Sequence, residues 1–145
     1  MILSIPWLVI AVVLYNLIAF TMSWEAATPD AVAPLAGPFS YKLFSIHMIS
    51  GAEWSLTLGD VVIVITLMLL FVELVKSTRT SSTSIIDHAL STILFILCMI
   101  EFLVVERAAT SVFFIITVVT LIDVVAGFSI TIRAARRDLT MGGIH

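Results

Sequence analysis

Long apolar runs dominate this chain, and polar residues gather in the gaps between them. A helix needs ~20 mostly apolar residues to cross a bilayer. Four stretches meet that requirement, at about 5–22, 60–75, 85–105 and 110–132. The second is the shortest and is expected either to borrow length from residues 56–59 or to sit with little tilt. None alternates polar and apolar residues as a strand of a membrane barrel does. The link at 106–109 is so short that the third and fourth stretches must fold back as an antiparallel hairpin. The first stretch resembles a signal peptide in length, but MILSIPWLV carries no Lys or Arg before its apolar run. It reads as a true span, with Pro6 tolerated in its first turn and Trp7 at the membrane surface.

The pattern changes in the 23–59 loop. Residues 27–38, ATPDAVAPLAGP, hold three prolines and a glycine and predict irregular backbone. After them Phe44, Ile46 and Met48 alternate with Ser45 and His47. Beyond Ser50-Gly51, Trp54, Leu56 and Leu58 alternate with Ser55 and Thr57. Period-two alternation on both sides of a Ser-Gly turn predicts a β-hairpin over 43–58. The competing reading is a short interfacial helix over 41–49. An isolated hairpin is marginal in water, so this one needs a platform: headgroups, helix ends or a partner protein. Phe44, Ile46, Met48, Trp54 and Leu56 are its candidate partner-binding residues.

Composition narrows the class. Of 145 residues, 61% are hydrophobic and only 12% charged, against ~45–50% and roughly 25% in soluble domains. Mean hydropathy is +1.20. These values exclude a soluble enzyme, a disordered tail and a nucleic-acid binder. The net charge of −3 gives no polybasic surface. Cys98 is the single cysteine, so neither an internal disulfide nor a multi-cysteine metal site can form. The expected architecture is an all-α membrane protein of one domain over 1–145. It is an antiparallel four-helix transmembrane bundle with a short extramembrane β-hairpin between helices one and two.

Basic residues set the expected orientation. Lys76, Arg79, Arg133, Arg136 and Arg137 flank one side of the spans, and Lys42 and Arg107 the other. Five against two places both termini in the cytoplasm and the 23–59 loop outside.

Ionisable groups within a span cost several kcal/mol unless paired or wetted, which makes each a candidate site. Asp123 lies mid-way along the fourth span. At ~100° per residue, Thr117, Thr120, Asp123, Gly127 and Thr131 fall in one arc. Such a stripe faces protein, either as a proton or cation site or as a hydrogen-bonded lock. Glu73, near the inner end of the second span, has Lys76 three residues on, which predicts an i,i+3 pair. His88 opens the third span beside Asp87, either as a relay or as a helix-end residue. Glu101 sits near the outer end of that span, where Arg107 can reach back to it or pair with Glu106. Asn16 in the first span can bond across to another helix. Together Glu73/His88, Asp123 and Asn16/Glu101 occupy inner, middle and outer depths.

No arginine ladder, P-loop, G-x-S-x-G or H-E-x-x-H motif occurs. A haem held by two histidines lacks its second ligand, and a Glu73–His88 zinc site lacks its others. No cofactor, metal or catalytic residue is expected. The runs GDVVIVITLMLLFVELVKSTRT, SIIDHALS and TLIDVVAGFSITIRAARRD resemble an uncharacterised family of small four-span inner-membrane proteins of proteobacteria. That resemblance implies four spans and a bacterial inner-membrane location, and carries no activity. The expected role is non-catalytic: an accessory or structural subunit in the lipid bilayer that binds other membrane protein or itself. The alternative is a small oligomeric proton- or cation-linked transporter or channel using Asp123.

Overall fold

A computed structural model of the chain describes residues 5–24, 37–78 and 84–143. Four α-helices and one two-stranded antiparallel hairpin make up the regular structure of these residues: α1 Leu8–Thr21, β1 Lys42–His47, β2 Glu53–Thr57, α2 Leu58–Ser77, α3 Ser84–Val104 and α4 Ser111–Met141. Three of the helices, α2, α3 and α4, are long and apolar enough to cross a membrane, whereas α1 is shorter. Two single 3-10 turns, Pro38–Ser40 and Glu106–Ala108, link them.

Helix α1 has 14 residues rather than the 18 its hydropathy predicts. Pro6 stays outside it and contributes only its carbonyl, which accepts from Val9 N–H at 3.1 Å. Met22 is already extended at the other end. Helix α2 begins two residues earlier than its apolar run because Thr57 and Asp60 form a reciprocal capping box. The Thr57 hydroxyl accepts from Asp60 N–H at 3.2 Å, and the Asp60 carboxylate accepts from Thr57 N–H at 2.9 Å. Helix α4 runs nine residues beyond the apolar stretch that ends at Ile132, through Arg133, Arg136 and Arg137. Nothing in RAARRDLTM breaks a helix, and the first glycine is Gly142.

Helix α4 is the hub. It packs along both α2 and α3, and α1 lies against α2 and more lightly on α4. Its buried residues Phe113, Ile116, Thr117, Val119, Thr120, Asp123 and Gly127 span one broad face. Leu8, Ala11, Tyr15 and Ala19 form the inward stripe of α1. The core therefore lies between helices, while large apolar side chains such as Leu67, Phe71, Leu103 and Val125 stand exposed on the outside. In water this distribution is unfavourable; against lipid it is the expected one.

The hairpin forms where alternation predicts it, and the helical reading of 41–49 is excluded. Phe44 pairs with Leu56 and Ile46 with Trp54 on one face; Ser45 pairs with Ser55 and His47 with Glu53 on the other. Register slips once, between Lys42 and Phe44, leaving Leu43 as the extra residue of a bulge. Gly51 closes the turn at φ 85°, a left-handed conformation that favours glycine. Phe44 and Trp54 meet edge to face at 6.3 Å. The helix ends do not cover this apolar face, and Phe44, Ile46, Met48 and Trp54 are all exposed.

Candidate functional site: a polar seam inside the helices

The polar residues that hydropathy places inside spans collect along the α3–α4 contact. The two helices run antiparallel and meet in rungs. Phe102 packs on Phe114 at 5.7 Å. One step inward, the buried Cys98 thiol lies beside the Thr120 hydroxyl. Next, the Ser91 hydroxyl faces the Asp123 carboxyl, with both residues buried. Last, His88 Nε2 and Thr131 Oγ1 are hydrogen-bonded at 2.6 Å. The Nδ1–Cε1 edge of the His88 ring abuts Gly127, so close that a Cβ there would stand 2.6 Å from Nδ1. Gly127 is therefore the gap that admits the imidazole. Small and hydroxylated residues at a membrane helix contact allow this close approach and supply hydrogen bonds across it.

Helix α2 adds a third side. Its Glu73 is 2% exposed and pairs with Lys76 at 3.0 Å. This is the i,i+3 pair that spacing predicts, but it lies inward rather than on the surface. The other Glu73 oxygen, Oε2, accepts from the backbone N–H of Trp7 at 2.8 Å. Lys76 Nζ also reaches the carbonyl of Ile5 at 3.5 Å. A carboxylate at a helix N-terminus satisfies an orphan donor and complements the helix dipole. Glu73 thus docks the start of α1. Glu73 and Lys76 also act electrostatically on Asp123.

The threonines on the Asp123 stripe are satisfied within their own helix. Thr117 donates to Phe113 O at 2.9 Å, Thr120 to Thr117 O at 2.7 Å, and Thr131 to Gly127 O at 3.1 Å. Thr66 likewise donates to Val62 O. Such back-bonded hydroxyls fill the seam without leaving open polar atoms.

The structure gathers Glu73, His88, Thr117, Thr120 and Asp123 but does not join them to the outer pair. Glu101 lies half-buried on α3 near Tyr15 and Cys98. Arg107 turns away from both Glu101 and Glu106. It donates to the last carbonyls of α1, Ala19 O at 3.2 Å and Phe20 O at 3.5 Å, and stacks over the Phe20 ring. Trp24 Nε1 reaches the same Ala19 carbonyl at 2.8 Å. Asn16 stands apart on α1 and donates only to Val12 O of its own helix among the described residues. A half-open cavity of about 380 Å³ sits between Gly37–Ser40, Thr57–Asp60 and Ala109–Val112, at the end away from Glu73, and does not include Asp123. Arg79, expected near Glu73, lies outside the described residues.

Several contacts escape sequence reasoning. Ser91 is legible afterwards as the residue one turn from His88. The Thr57-x-x-Asp60 spacing is a capping-box signature in plain sight. The Tyr15 hydroxyl, 2.8 Å from Arg107 O and 2.6 Å from Thr110 Oγ1, carries no local signal because its partners are more than ninety residues away.

Comparison with known proteins gives no matching family model, no similar curated protein and no similar solved structure.

Proposed function

We propose that this chain is a four-span bundle of the bacterial inner membrane, with both termini cytoplasmic, acting as a non-catalytic accessory or structural subunit. The observation that carries the reading is the hairpin. Two strands alone are marginally stable in water. This pair nonetheless presents Phe44, Ile46, Met48 and Trp54 uncovered, with Ile49 fully exposed at its tip. An apolar face of this kind fits a partner protein held beside it in the same membrane. The seam supports the same role: His88 is bonded across it to Thr131, and Thr117, Thr120 and Thr131 are bonded within α4, as in a lock between helices.

The test is a pull-down in mild detergent followed by mass spectrometry, run on wild type and on Ile46→Ser/Trp54→Ser. A partner retained by wild type and lost by the double variant supports the reading. Equal recovery with both removes the hairpin from the argument. Cysteine labelling of the C-terminal tail checks orientation, and labelling from outside only inverts it.

A second reading has one observation in its favour. Asp123 is buried where α2, α3 and α4 converge, with Ser91 facing it and Glu73, Lys76 and His88 nearby. A proton- or cation-linked transporter can use such a carboxyl. Asp123→Asn abolishes flux in liposomes on that reading, and leaves assembly intact on the first.

A further inference from the structure

Helix α1 has two stripes, and the described residues cover only one. Leu8, Ala11, Tyr15 and Ala19 turn inward and are buried. Val13, Asn16, Leu17 and Phe20 lie on another side, at the i, i+3, i+4, i+7 spacing of a helix-pair seam. Val13, Leu17 and Phe20 are each at least half exposed. With Val12 and Thr21 these residues line a shallow, almost wholly apolar groove of about 340 Å³, to which no other helix contributes.

Asn16 is the exception within that groove. Its Nδ2 donates to Val12 O at 3.1 Å, which uses one N–H. The second N–H and Oδ1 have no partner among the described residues. Asn16 lies ~12 Å along α1 from Leu8 at ~1.5 Å per residue, well inside the helix. An acyl chain offers such an amide nothing, and polar atoms at hydrocarbon depth seek protein partners.

We propose that this α1 face binds a second copy of the same chain, with Asn16 meeting Asn16. Two physical facts select that occupant. A primary amide is both donor and acceptor, so it is complementary to itself. A two-fold axis along the membrane normal preserves orientation and depth, so it brings each residue against its own copy at the same level. A different protein needs a matching polar group at that depth by coincidence. Single polar residues in apolar helix seams fix partner and register in the same way. The proposal rests on α1 lying in the bilayer and is independent of the hairpin.

The test uses the full chain, purified and reconstituted alone into vesicles, with Cys98→Ala as background. Single cysteines at Val13, Phe20 and, as an off-face control, Leu14 are oxidised to disulfides. Cross-links at Val13→Cys and Phe20→Cys but not at Leu14→Cys are expected. Adding Asn16→Leu should weaken dimerisation about three- to tenfold, and Asn16→Gln should restore part of it. Equal cross-linking at all three positions, or no effect of Asn16→Leu, overturns the proposal. So does labelling of Leu17→Cys by a membrane-impermeant thiol reagent, because water would then satisfy the amide. That outcome refutes the placement of α1 as well. An unlabelled Leu17→Cys without cross-links refutes the pairing alone.

Discussion

The α3–α4 seam and the β1–β2 hairpin are opposites. In the seam, buried polar groups lie against polar neighbours: His88 bonds Thr131, Asp123 faces Ser91, and Glu73 bonds Lys76 and the start of α1, while Asp87 Oδ1 is buried without a partner among the described residues. In the hairpin, apolar groups are exposed and meet only each other. In the seam, low dielectric makes any unmatched polar group expensive, so a substitution there is felt through hydrogen-bond satisfaction. At the hairpin, β1 and β2 pair with each other while Phe44, Ile46 and Trp54 stay uncovered among the described residues, and on the proposed reading a partner protein covers them. The two regions therefore respond to substitution in different currencies, stability for the seam and association for the hairpin.

The contrast breaks most sharply at Glu73. Glu73→Ala removes one partner of a buried pair and releases the Trp7 N–H at the start of α1. A loss of about 3 kcal/mol is expected, the low end for such pairs, because Lys76 can swing out to water. Unfolding in detergent measures it, and faster proteolysis near α1 should accompany it. Glu73→Gln should cost less, since an amide oxygen still accepts from Trp7.

Gly127→Ala comes next, at about 1–3 kcal/mol, because the new methyl meets the His88 ring. Its cost should fall sharply in a His88→Ala background. A double-mutant cycle reads this directly, and full additivity would show that the ring does not rest on Gly127. Asp123→Asn should cost under about 1 kcal/mol if the seam is a lock, as an amide can face the Ser91 hydroxyl as the carboxyl does, and polar contacts of this kind in membrane interiors average ~0.6 kcal/mol. Asp123→Leu should cost visibly more in the same unfolding assay. Smallest of all, Trp54→Ser should leave the unfolding midpoint within the roughly ±0.5 kcal/mol typical of surface changes, while binding to a partner is lost.

Much of this was legible in the residues, and the reasons for the remainder are physical. Alternation around Ser50-Gly51 located the hairpin because period two and a turn glycine are local properties. The stripe from Thr117 to Thr131 was visible as angles on a wheel. What periodicity cannot encode is which helix will face the stripe, so Ser91 and the fit of His88 over Gly127 went unseen. Hydropathy misplaced helix ends for a related reason. It follows transfer free energy, whereas α1 stops at backbone geometry and α4 continues on propensity through Arg133–Met141. Arg107 was assigned a carboxylate partner on charge alone, and the carbonyls at the end of α1 compete successfully for it.

The two fastenings of α1 also bear on the order of biogenesis. The N–H of Trp7 at its start is held by Glu73 and its last carbonyls by Arg107, residues 66 and 88 positions away from their partners. A ribosome delivers α1 long before either fastening exists. On the proposed four-span arrangement the helix waits in the membrane without its final neighbours while α2 and then the α3–α4 link emerge. Its register is consequently a late event in synthesis, and a chain truncated after α2 should carry an α1 fixed at one end and free to slide at the other.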